Sequence, residues 1–123
     1  MCAHFESPSA LKLTTLIQGV NQLTDRYTTD VWPGRKAPFL VSDTHEPKWV
    51  LGAFGLMPFW AKPTHYRHTY NARTETVSTK PTFRQAWKLR QFCAVPAQAF
   101  YEPNYETGKV ESHHIERMDE EVF

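Results

Sequence analysis

Residues 37–56, "APFLVSDTHEPKWVLGAFGL", contain two apolar stretches separated by a short polar one. The β-branched and aromatic side chains of 37–42 and 48–56 favour strands. The four residues between them, "THEP" at 44–47, are typical of a tight turn, and glycines and prolines limit both stretches. The segment therefore predicts two antiparallel strands, and with them an antiparallel sheet.

Helices are predicted on either side of these strands. Residues 7–26 carry apolar side chains at helical spacing, with Ser7 or Ser9 as the N-cap. The stripe is expected to face the core and consists of Leu13, Leu16, Ile17, Val20 and Leu23. Residues 80–92 predict a shorter helix that starts near Pro81 and has a basic, solvated side.

Two further strands are predicted towards the end of the chain. Residues 93–103 have the pattern of a strand that runs into a turn, and 108–123 begin an alternating strand that the chain does not finish. We therefore expect an α+β fold: a curved, mostly antiparallel, open barrel-like sheet with short helices outside and an incomplete C-terminal edge. Such an edge invites pairing with a second copy, so a homodimer is one expectation.

The composition indicates one compact domain over residues 1–123. The chain has 123 residues, 41% of them apolar and 14% aromatic, and a formal net charge of +1. That charge neither favours nor excludes a nucleic-acid partner, because clustering of basic residues decides the matter. No apolar run approaches the roughly 20 residues that span a bilayer, and no secretory signal is visible, so we expect no membrane association and a cytoplasmic location.

The cysteines are expected to differ in role. Cys93 lies in the apolar stretch "FCAVP" and is expected to be a buried, inert thiol, and no disulfide is expected. Cys2 follows the initiator methionine, and removal of Met1 would leave Cys2 with both a thiol and a free α-amine. These groups titrate at about 8.5 and about 7.7–8.0. A 1,2-aminothiol of this kind condenses with an aldehyde to an imine and then closes a thiazolidine ring; the alternative is a frayed chain end without function.

Two other stretches concentrate reactive polar groups. In "NARTET", an extended backbone would direct Asn71, Arg73 and Glu75 to one face, where a guanidinium can grip a phosphate. The alternative is the polar outer face of a strand. In "AFYEP", Glu102 follows two aromatic residues; a carboxylate held against such a surface loses hydration and becomes a better proton donor and acceptor. Its alternative is an exposed acid at a turn.

The histidines do not predict a metal site. His113 and His114 are adjacent and would point to opposite faces of a strand, which is not a metal-ligand spacing. There is also no phosphate-binding glycine loop and no hydrolase serine elbow. We therefore predict no cofactor and no metal.

Together with Met-Cys at the start, "GLMPFWAK" (55–62) and "NARTETVSTKPTFRQAWKLRQFCAVPAQAFYEP" (71–103) resemble the SRAP (SOS-response-associated peptidase) family. Members of that family link covalently, through their second residue, to abasic sites in single-stranded DNA. The resemblance runs from residue 1 to about 123 and covers the first half to two-thirds of such a domain. It implies the same α+β fold, with the active site in a groove where the N-terminus meets strands bearing Asn71 and Glu102.

The resemblance also implies residue roles. Cys2 would be the nucleophile, Asn71 would position the terminal residue or the opened sugar, and Glu102 would move protons. Arg73 would hold a phosphate, and Trp60 would stack on a base beside the lesion, unless it only packs in the core. The remaining candidate DNA contacts are His4, Arg84, Lys88 and Arg90. The family is also assigned a peptidase activity, expected to release Met1.

The chain departs from the family pattern at several positions. Ala3 and His4 stand where the family has Gly-Arg, which removes a phosphate contact, and Pro103 stands where it has Trp. The family's His-x-Arg-Met-Pro stretch lies downstream of the last residue, and "HIERM" at 114–118 does not fit it in spacing or in a following proline. Two alternatives to covalent capture therefore stay open: a non-covalent single-stranded DNA-binding module and an inactive fragment.

Overall fold

The computed structural model describes residues 3–43 and 46–123. The predicted nucleophile Cys2 and the first two residues of the predicted 44–47 turn lie outside these ranges. The elements are β1 (His4–Glu6), α1 (Ala10–Leu16), β2 (Asp30–Val31), β3 (Lys36–Asp43), β4 (Glu46–Ala53), a 3-10 helix (Pro63–His68), α2 (Thr74–Val77), α3 (Arg84–Lys88), β5 (Ala99–Asn104) and β6 (Glu111–Glu116).

The two predicted strands of the 37–56 segment are β3 and β4, and they pair antiparallel. Their register places Leu40 opposite Trp49 and Phe39 opposite Val50. Trp49 is buried, and the side chains opposite one another pack as cross-strand pairs. The antiparallel pairing inferred from the sequence is therefore confirmed.

The other strands form a separate four-stranded sheet in the order β2-β1-β5-β6. Every pairing between the described strands is antiparallel, so the predicted α+β class with short helices is confirmed, with the strands divided between two sheets. A turn between β2 and β3 separates the sheets: Arg35 N donates to Trp32 O (2.9 Å), and Gly34 has a φ of +86°. Glycine suits this position because residues with a side chain rarely adopt a backbone conformation with positive φ.

The core lies where the two sheets meet. Phe5 of β1, Val31 of β2 and Ala37 of β3 are buried together. Partly buried apolar residues pack around them, and these are Phe54, Ala97 and Phe100. Burying Phe5 fully against this cluster stabilises the fold by about 1.5–3 kcal/mol, so this aromatic side chain anchors the three-residue strand β1 on the core side.

The first helix is shorter than predicted. α1 ends at Leu16, whereas the sequence pattern predicted a helix over residues 7–26. Ser9 is the N-cap and accepts from Lys12 N at 3.2 Å, as one of the two predicted caps. The predicted helix does not continue beyond Leu16 because the backbone of Ile17 is extended and Gly19 has a φ of +80°.

A tertiary contact holds the chain that follows α1. The Asn21 side chain accepts from Trp49 N (2.8 Å) and donates to Trp49 O (3.0 Å). Asn21 thus supplies both hydrogen bonds that another strand would give to β4 at this position. A helix through residue 21 would compete with this pairing, which explains why the apolar periodicity was misleading.

Replacing Asn21 with Ala should lower the free energy of unfolding by about 1–3 kcal/mol, because two backbone groups of the buried Trp49 lose their partners. Urea denaturation followed by circular dichroism measures this. Gln22→Ala, at the exposed neighbouring position, is the control and should leave stability unchanged within about 0.5 kcal/mol. Equal stability of the two variants would contradict the anchoring role of Asn21.

The second predicted helix is also shorter than the 80–92 pattern. α3 covers only Arg84–Lys88, and Arg90 has a φ of 53°, which is incompatible with a continuing helix. Its basic side chains are exposed, as the pattern predicted. After α3 the chain forms a single bridge, Leu40 with Ala94, before β5 starts at Ala99.

Cys93 lies in this irregular stretch and is exposed, contrary to the prediction of a buried thiol. The apolar neighbours that suggested burial are themselves exposed: 59% of Phe92 and 50% of Val95 are accessible. Partial burial of the thiol still raises the pKa of Cys93.

Among the described residues, no helix combines the length and the apolar character needed to cross a membrane.

Candidate nucleic-acid interface

The strand pairing beside the N-terminus brings two predicted regions together. In the β1–β5 register His4 lies opposite Tyr101, and Glu102 is the next residue of β5. Cys2 precedes β1 by two residues and belongs to the part of the chain that is not described. The strand that follows the N-terminal segment therefore lies directly beside the strand that carries Glu102.

Glu102 lies on the core side of β5. Alternation along the strand puts it on the same face as Phe100, which packs on the core and contacts Phe123 edge-to-face at 5.2 Å. Glu102 is half-buried, and its partner in the β5–β6 register is His113. This setting agrees with a carboxylate held beside aromatic surface and argues against an exposed acid at a turn.

His4 lies on the opposite face, between two aromatic rings. Its imidazole stacks on Trp32, with ring centroids 4.0 Å apart and planes at 13°, and on Tyr101, at 4.1 Å and 8°. The Asp30 carboxylate is 2.5 Å from His4 Nε2 and accepts from Trp32 Nε1 at 3.2 Å. One carboxylate thus holds two of the three stacked rings, and all of them come from β1, β5 and the end of β2.

A second carboxylate completes this cluster. The Tyr101 hydroxyl donates to Glu6, and this hydrogen bond raises the pKa of Tyr101. His114 of β6 lies 3.7 Å from the same Glu6 carboxylate through its Nε2. The His4 stack, defined as His4, Trp32 and Tyr101 with Asp30 and Glu6, therefore connects all four strands of the sheet.

This environment bears on the predicted DNA contact of His4. Only 16% of its side chain is exposed, and both faces of its ring are covered. The geometry suits a residue that orients β1, and the DNA contact stays a prediction. Sequence reasoning missed Asp30 and Trp32, although their alternation around the buried Val31 is the period-two signal of a strand with one polar face.

The Asp30–His4 contact predicts a pH dependence of stability. The hydrogen bond from His4 lowers the pKa of Asp30 from its ordinary 3.8, so the carboxylate stabilises the fold above that value and the contribution is lost as the pH falls below it. Asp30→Asn should therefore melt at a lower temperature than wild type at pH 7, with the difference shrinking towards pH 3. Thermal melts at several pH values test this, with the exposed Asp25→Asn as control; a difference independent of pH would contradict it.

The "NARTET" segment is not extended throughout. Asn71 and Arg73 precede α2, but Glu75 lies within it, because Arg73 O accepts from Thr76 N (3.1 Å) and Val77 N (2.9 Å). The predicted row of three side chains on one strand face is therefore wrong. The groove predicted between strands bearing Asn71 and Glu102 is corrected likewise, since Asn71 lies in a loop while Glu102 lies in β5.

Five of the predicted DNA contacts have exposed side chains, and these are Trp60, Arg73, Arg84, Lys88 and Arg90. Trp60 is 53% exposed, which argues against the alternative that it only packs in the core. Arg84 and Lys88 are four residues apart on α3, so they share one helix face. Exposed aromatic side chains together with exposed cations are typical of proteins that bind single-stranded nucleic acids.

Two surface clefts lie along the same part of the chain. The Trp60 cleft has a volume of about 510 Å³ and is lined by Trp60, Ala61, Lys62, Thr64, His65, Arg67 and His68. The Arg73 cleft has a volume of about 550 Å³ and is lined by residues 72–76. Sequence reasoning missed the basic residues of the first cleft, although four of them occur within seven residues of "KPTHYRH".

For the described ranges, no group of three or more histidine, cysteine, aspartate or glutamate side chains is arranged to hold a metal ion.

The sequence model of the SOS response associated peptidase (SRAP) family matches residues 1–123, the full chain. The chain belongs to the SRAP family. Its resemblance to that family, inferred above from short motifs, is thereby confirmed.

Named relatives of this SRAP protein share about a third of its residues over part of its length. The chain is 34% identical over 74 residues to abasic site processing protein YoqW of Bacillus subtilis strain 168, and equally to YoqW of Bacillus phage SPbeta. It is 32% identical over 74 residues to abasic site processing protein YoaM of the same bacterium. The matched region covers 59% of this chain and only 33% of YoqW or 32% of YoaM.

Solved structures share the fold. A crystal structure of a protein from Bordetella bronchiseptica matches with a TM-score of 0.79 and 26% identity, covering 98% of this chain and 60% of the other. A second, from Bacteroides thetaiotaomicron, matches with a TM-score of 0.71 and 24% identity, covering 99% and 57%. This SRAP chain thus spans somewhat more than half the length of either protein.

Proposed function

We propose that this SRAP protein captures abasic sites in single-stranded DNA by forming a thiazolidine between Cys2 and the aldehyde of the ring-opened sugar. Membership of the SRAP family and the names of the abasic site processing relatives support a role at abasic DNA. The covalent chemistry is argued from the residues of this chain.

The reaction balances without a cofactor. After Met1 is removed, the Cys2 amine adds to the aldehyde carbon and water leaves, which gives an imine. The Cys2 sulfur then adds to the imine carbon, the thiol proton ends on the nitrogen, and a five-membered ring closes. One water is the only other product. Removal of Met1 by the protein's own peptidase activity forms part of the proposal.

Glu102 is proposed as the group that moves these protons. The observation that carries the assignment is the β1–β5 register, which sets His4, two residues after Cys2, beside Tyr101, one residue before Glu102. Glu102 is half-buried on the core face of β5, and a carboxyl group can donate and accept a proton in turn. Water loss in the imine step needs such a proton donor.

The Asn71 segment is proposed to hold the DNA. Asn71 would position the opened sugar through its amide, and the exposed Arg73 at the start of α2 would grip a phosphate. Trp60 would stack on a neighbouring base, with Arg84, Lys88 and Arg90 as further phosphate contacts. The contact proposed for His4 would come from its edge, since both ring faces are stacked.

A non-covalent single-stranded DNA-binding module is the second candidate function. The exposure of Trp60 together with the cations of α3 favours it, because these groups can bind DNA without any chemistry at Cys2.

A homodimer through β6 also stays a proposal. In the described sheet, β6 pairs with β5 on one side and forms the sheet edge on the other.

Denaturing electrophoresis separates these functions. Wild type mixed with single-stranded DNA that contains one abasic site should give a slower band, which is absent with undamaged DNA and with Cys2→Ala, because the thiazolidine needs the thiol. Intact mass spectrometry establishes whether Met1 is gone. A protein that lacks Met1 and binds the strand without forming the band would refute covalent capture in favour of the binding module.

Glu102→Gln should slow adduct formation by about 10²–10⁴-fold, the usual contribution of general acid–base catalysis, while binding to undamaged DNA stays unchanged. A quenched time course on the same gels measures the rate. Glu46→Gln, an exposed position at the start of β4, is the matched control. Equal rates for both variants would remove Glu102 from the mechanism.

A further inference from the structure

The His4 stack begins two residues after the predicted nucleophile. His4 is the first residue of β1, and two residues of chain span at most about 7 Å. Chain ends are usually poorly ordered unless contacts fix them. The contacts of His4 therefore limit where the Cys2 amine and thiol can lie.

The His4 ring is held on three sides. Trp32 and Tyr101 cover its two faces, with ring centroids 4.0 Å and 4.1 Å away and planes nearly parallel to it. Asp30 Oδ1 lies 2.5 Å from His4 Nε2. A ring with both faces stacked and one nitrogen in a hydrogen bond cannot turn away without losing these contacts. The stack therefore fixes the orientation of β1 on the face opposite Phe5.

The residues that hold His4 are themselves fixed by β2. Val31 between them is fully buried, so alternation places Asp30 and Trp32 together on the other face. Trp32 Nε1 donates to Asp30 Oδ2 at 3.2 Å, and Asp30 N donates to Thr28 Oγ1 at 3.3 Å. The turn that follows is closed by Arg35 N, which donates to Trp32 O at 2.9 Å. Asp30 and Trp32 thus form a support that does not depend on the N-terminal segment.

The sheet around the stack carries negative rather than positive charge. Its described strands contain no lysine or arginine. They contain five carboxylates, and these are Glu6, Asp30, Glu102, Glu111 and Glu116. The exposed arginines and lysine proposed to hold phosphate lie elsewhere, between residues 73 and 90. A DNA phosphate gains little from these strands, so the contacts of the stack serve the N-terminal strand of the protein itself.

We propose that Asp30 and Trp32 are positioning residues for the Cys2 reaction and act through His4. They hold the His4 ring, and His4 holds the N-terminal end of β1 so that the Cys2 amine stays beside the aldehyde of a bound abasic strand. This inference rests on the proposed function and deepens it, because Asp30 and Trp32 neither form the adduct nor bind DNA. Reactants held in a productive geometry react faster, and a misplacement of about 1 Å can cost about 10²-fold in rate.

The rate of adduct formation at increasing concentrations of abasic single-stranded DNA tests this role. Quenched denaturing electrophoresis measures it for wild type and for Asp30→Asn/Trp32→Leu. The maximal rate of the variant should fall by about 10- to 100-fold, while the DNA concentration that gives half the maximal rate stays the same. Lower stability alone would reduce the fraction of protein that reacts and leave the rate constant of the folded fraction unchanged. Trp32→Phe, which keeps a ring over His4, should recover most of the rate that Trp32→Leu loses.

A small soluble aldehyde separates positioning from the reactivity of the aminothiol. Glycolaldehyde reaches Cys2 from solution, so its reaction needs no bound geometry. Its rate of thiazolidine formation, followed by intact mass with Cys2→Ala as the blank, should be equal in wild type and in Asp30→Asn/Trp32→Leu. A loss with glycolaldehyde as large as the loss with abasic DNA would overturn the positioning role, because the stack would then alter the aminothiol itself.

The matched control is Asp25→Asn/Tyr105→Leu, which changes a carboxylate and an aromatic ring at exposed positions outside the stack. Its maximal rate should equal that of wild type. If Asp30→Asn/Trp32→Leu reacts as fast as this control, the positioning role is refuted. An unchanged maximal rate with a higher half-saturating DNA concentration would also refute it, because the stack would then be a DNA contact.

Hydrogen exchange distinguishes failure of this inference from failure of the proposed function. The amides of His4, Phe5 and Glu6 should exchange faster in Asp30→Asn/Trp32→Leu than in wild type, with the exchange of β3 unchanged. If wild type without Met1 forms no adduct, the proposed function fails, and the exchange of β1 still decides whether the stack holds the strand. Unchanged exchange in β1 rejects that hold whatever the DNA experiments give. Adducts at equal rates in wild type and variant keep the function and reject the inference.

Discussion

The pairing of β1 with its two neighbours is the constraint on which the rest of the structure depends. β1 has only three residues, yet it lies between β2 and β5, and its successive side chains point to opposite faces of the sheet. Phe5 in its middle is 4% exposed and joins the core. His4 before it enters a stack with Trp32 and Tyr101 on the other face. So short a strand has few ladder hydrogen bonds of its own, and side-chain contacts on both faces hold its register.

That register has a functional consequence, because a shift by one residue would exchange the two faces. Phe5 would leave the core and His4 would enter it without partners, so the arrangement is strongly selected. The same register determines which residue of β5 lies nearest the N-terminal segment. The chemistry proposed at Cys2 needs this constraint, and Asp30 and Glu6 add polar contacts that tie the strand to β2, β5 and β6.

The remaining candidate residues are supported differently. Trp60 and Asn71 lie in loops on either side of the 3-10 helix, and that helix packs through Tyr66 against Gly34 and Gly55, just outside the two ends of the β3–β4 pair. The proposed role of Glu102 thus depends on the four-stranded sheet, whereas the proposed role of Trp60 depends on a loop that is packed beside the two-stranded one. The core cluster of Phe5, Val31 and Ala37 joins the two sheets.

Sequence alone determined the features that are local or carried by specific motifs. Apolar stretches of strand-favouring residues and the turn residues around them identified β3 and β4, and the ordered motifs from Met-Cys to Phe-Tyr-Glu identified the family, because both signals lie within short stretches. The tertiary structure decided the rest. Helical periodicity continued past Leu16, but the chain leaves the helix at Ile17, and the Asn21 side chain hydrogen-bonds to the backbone of Trp49. The sequence predicted an extended backbone from Asn71 to Glu75. Because no partner strand pairs with the segment after Arg73 in the described residues, its backbone forms local hydrogen bonds as α2. The stack around His4 and the basic cleft at Trp60 assemble side chains from separate segments or from an irregular loop, and no periodic pattern predicts contacts that only the folded chain creates.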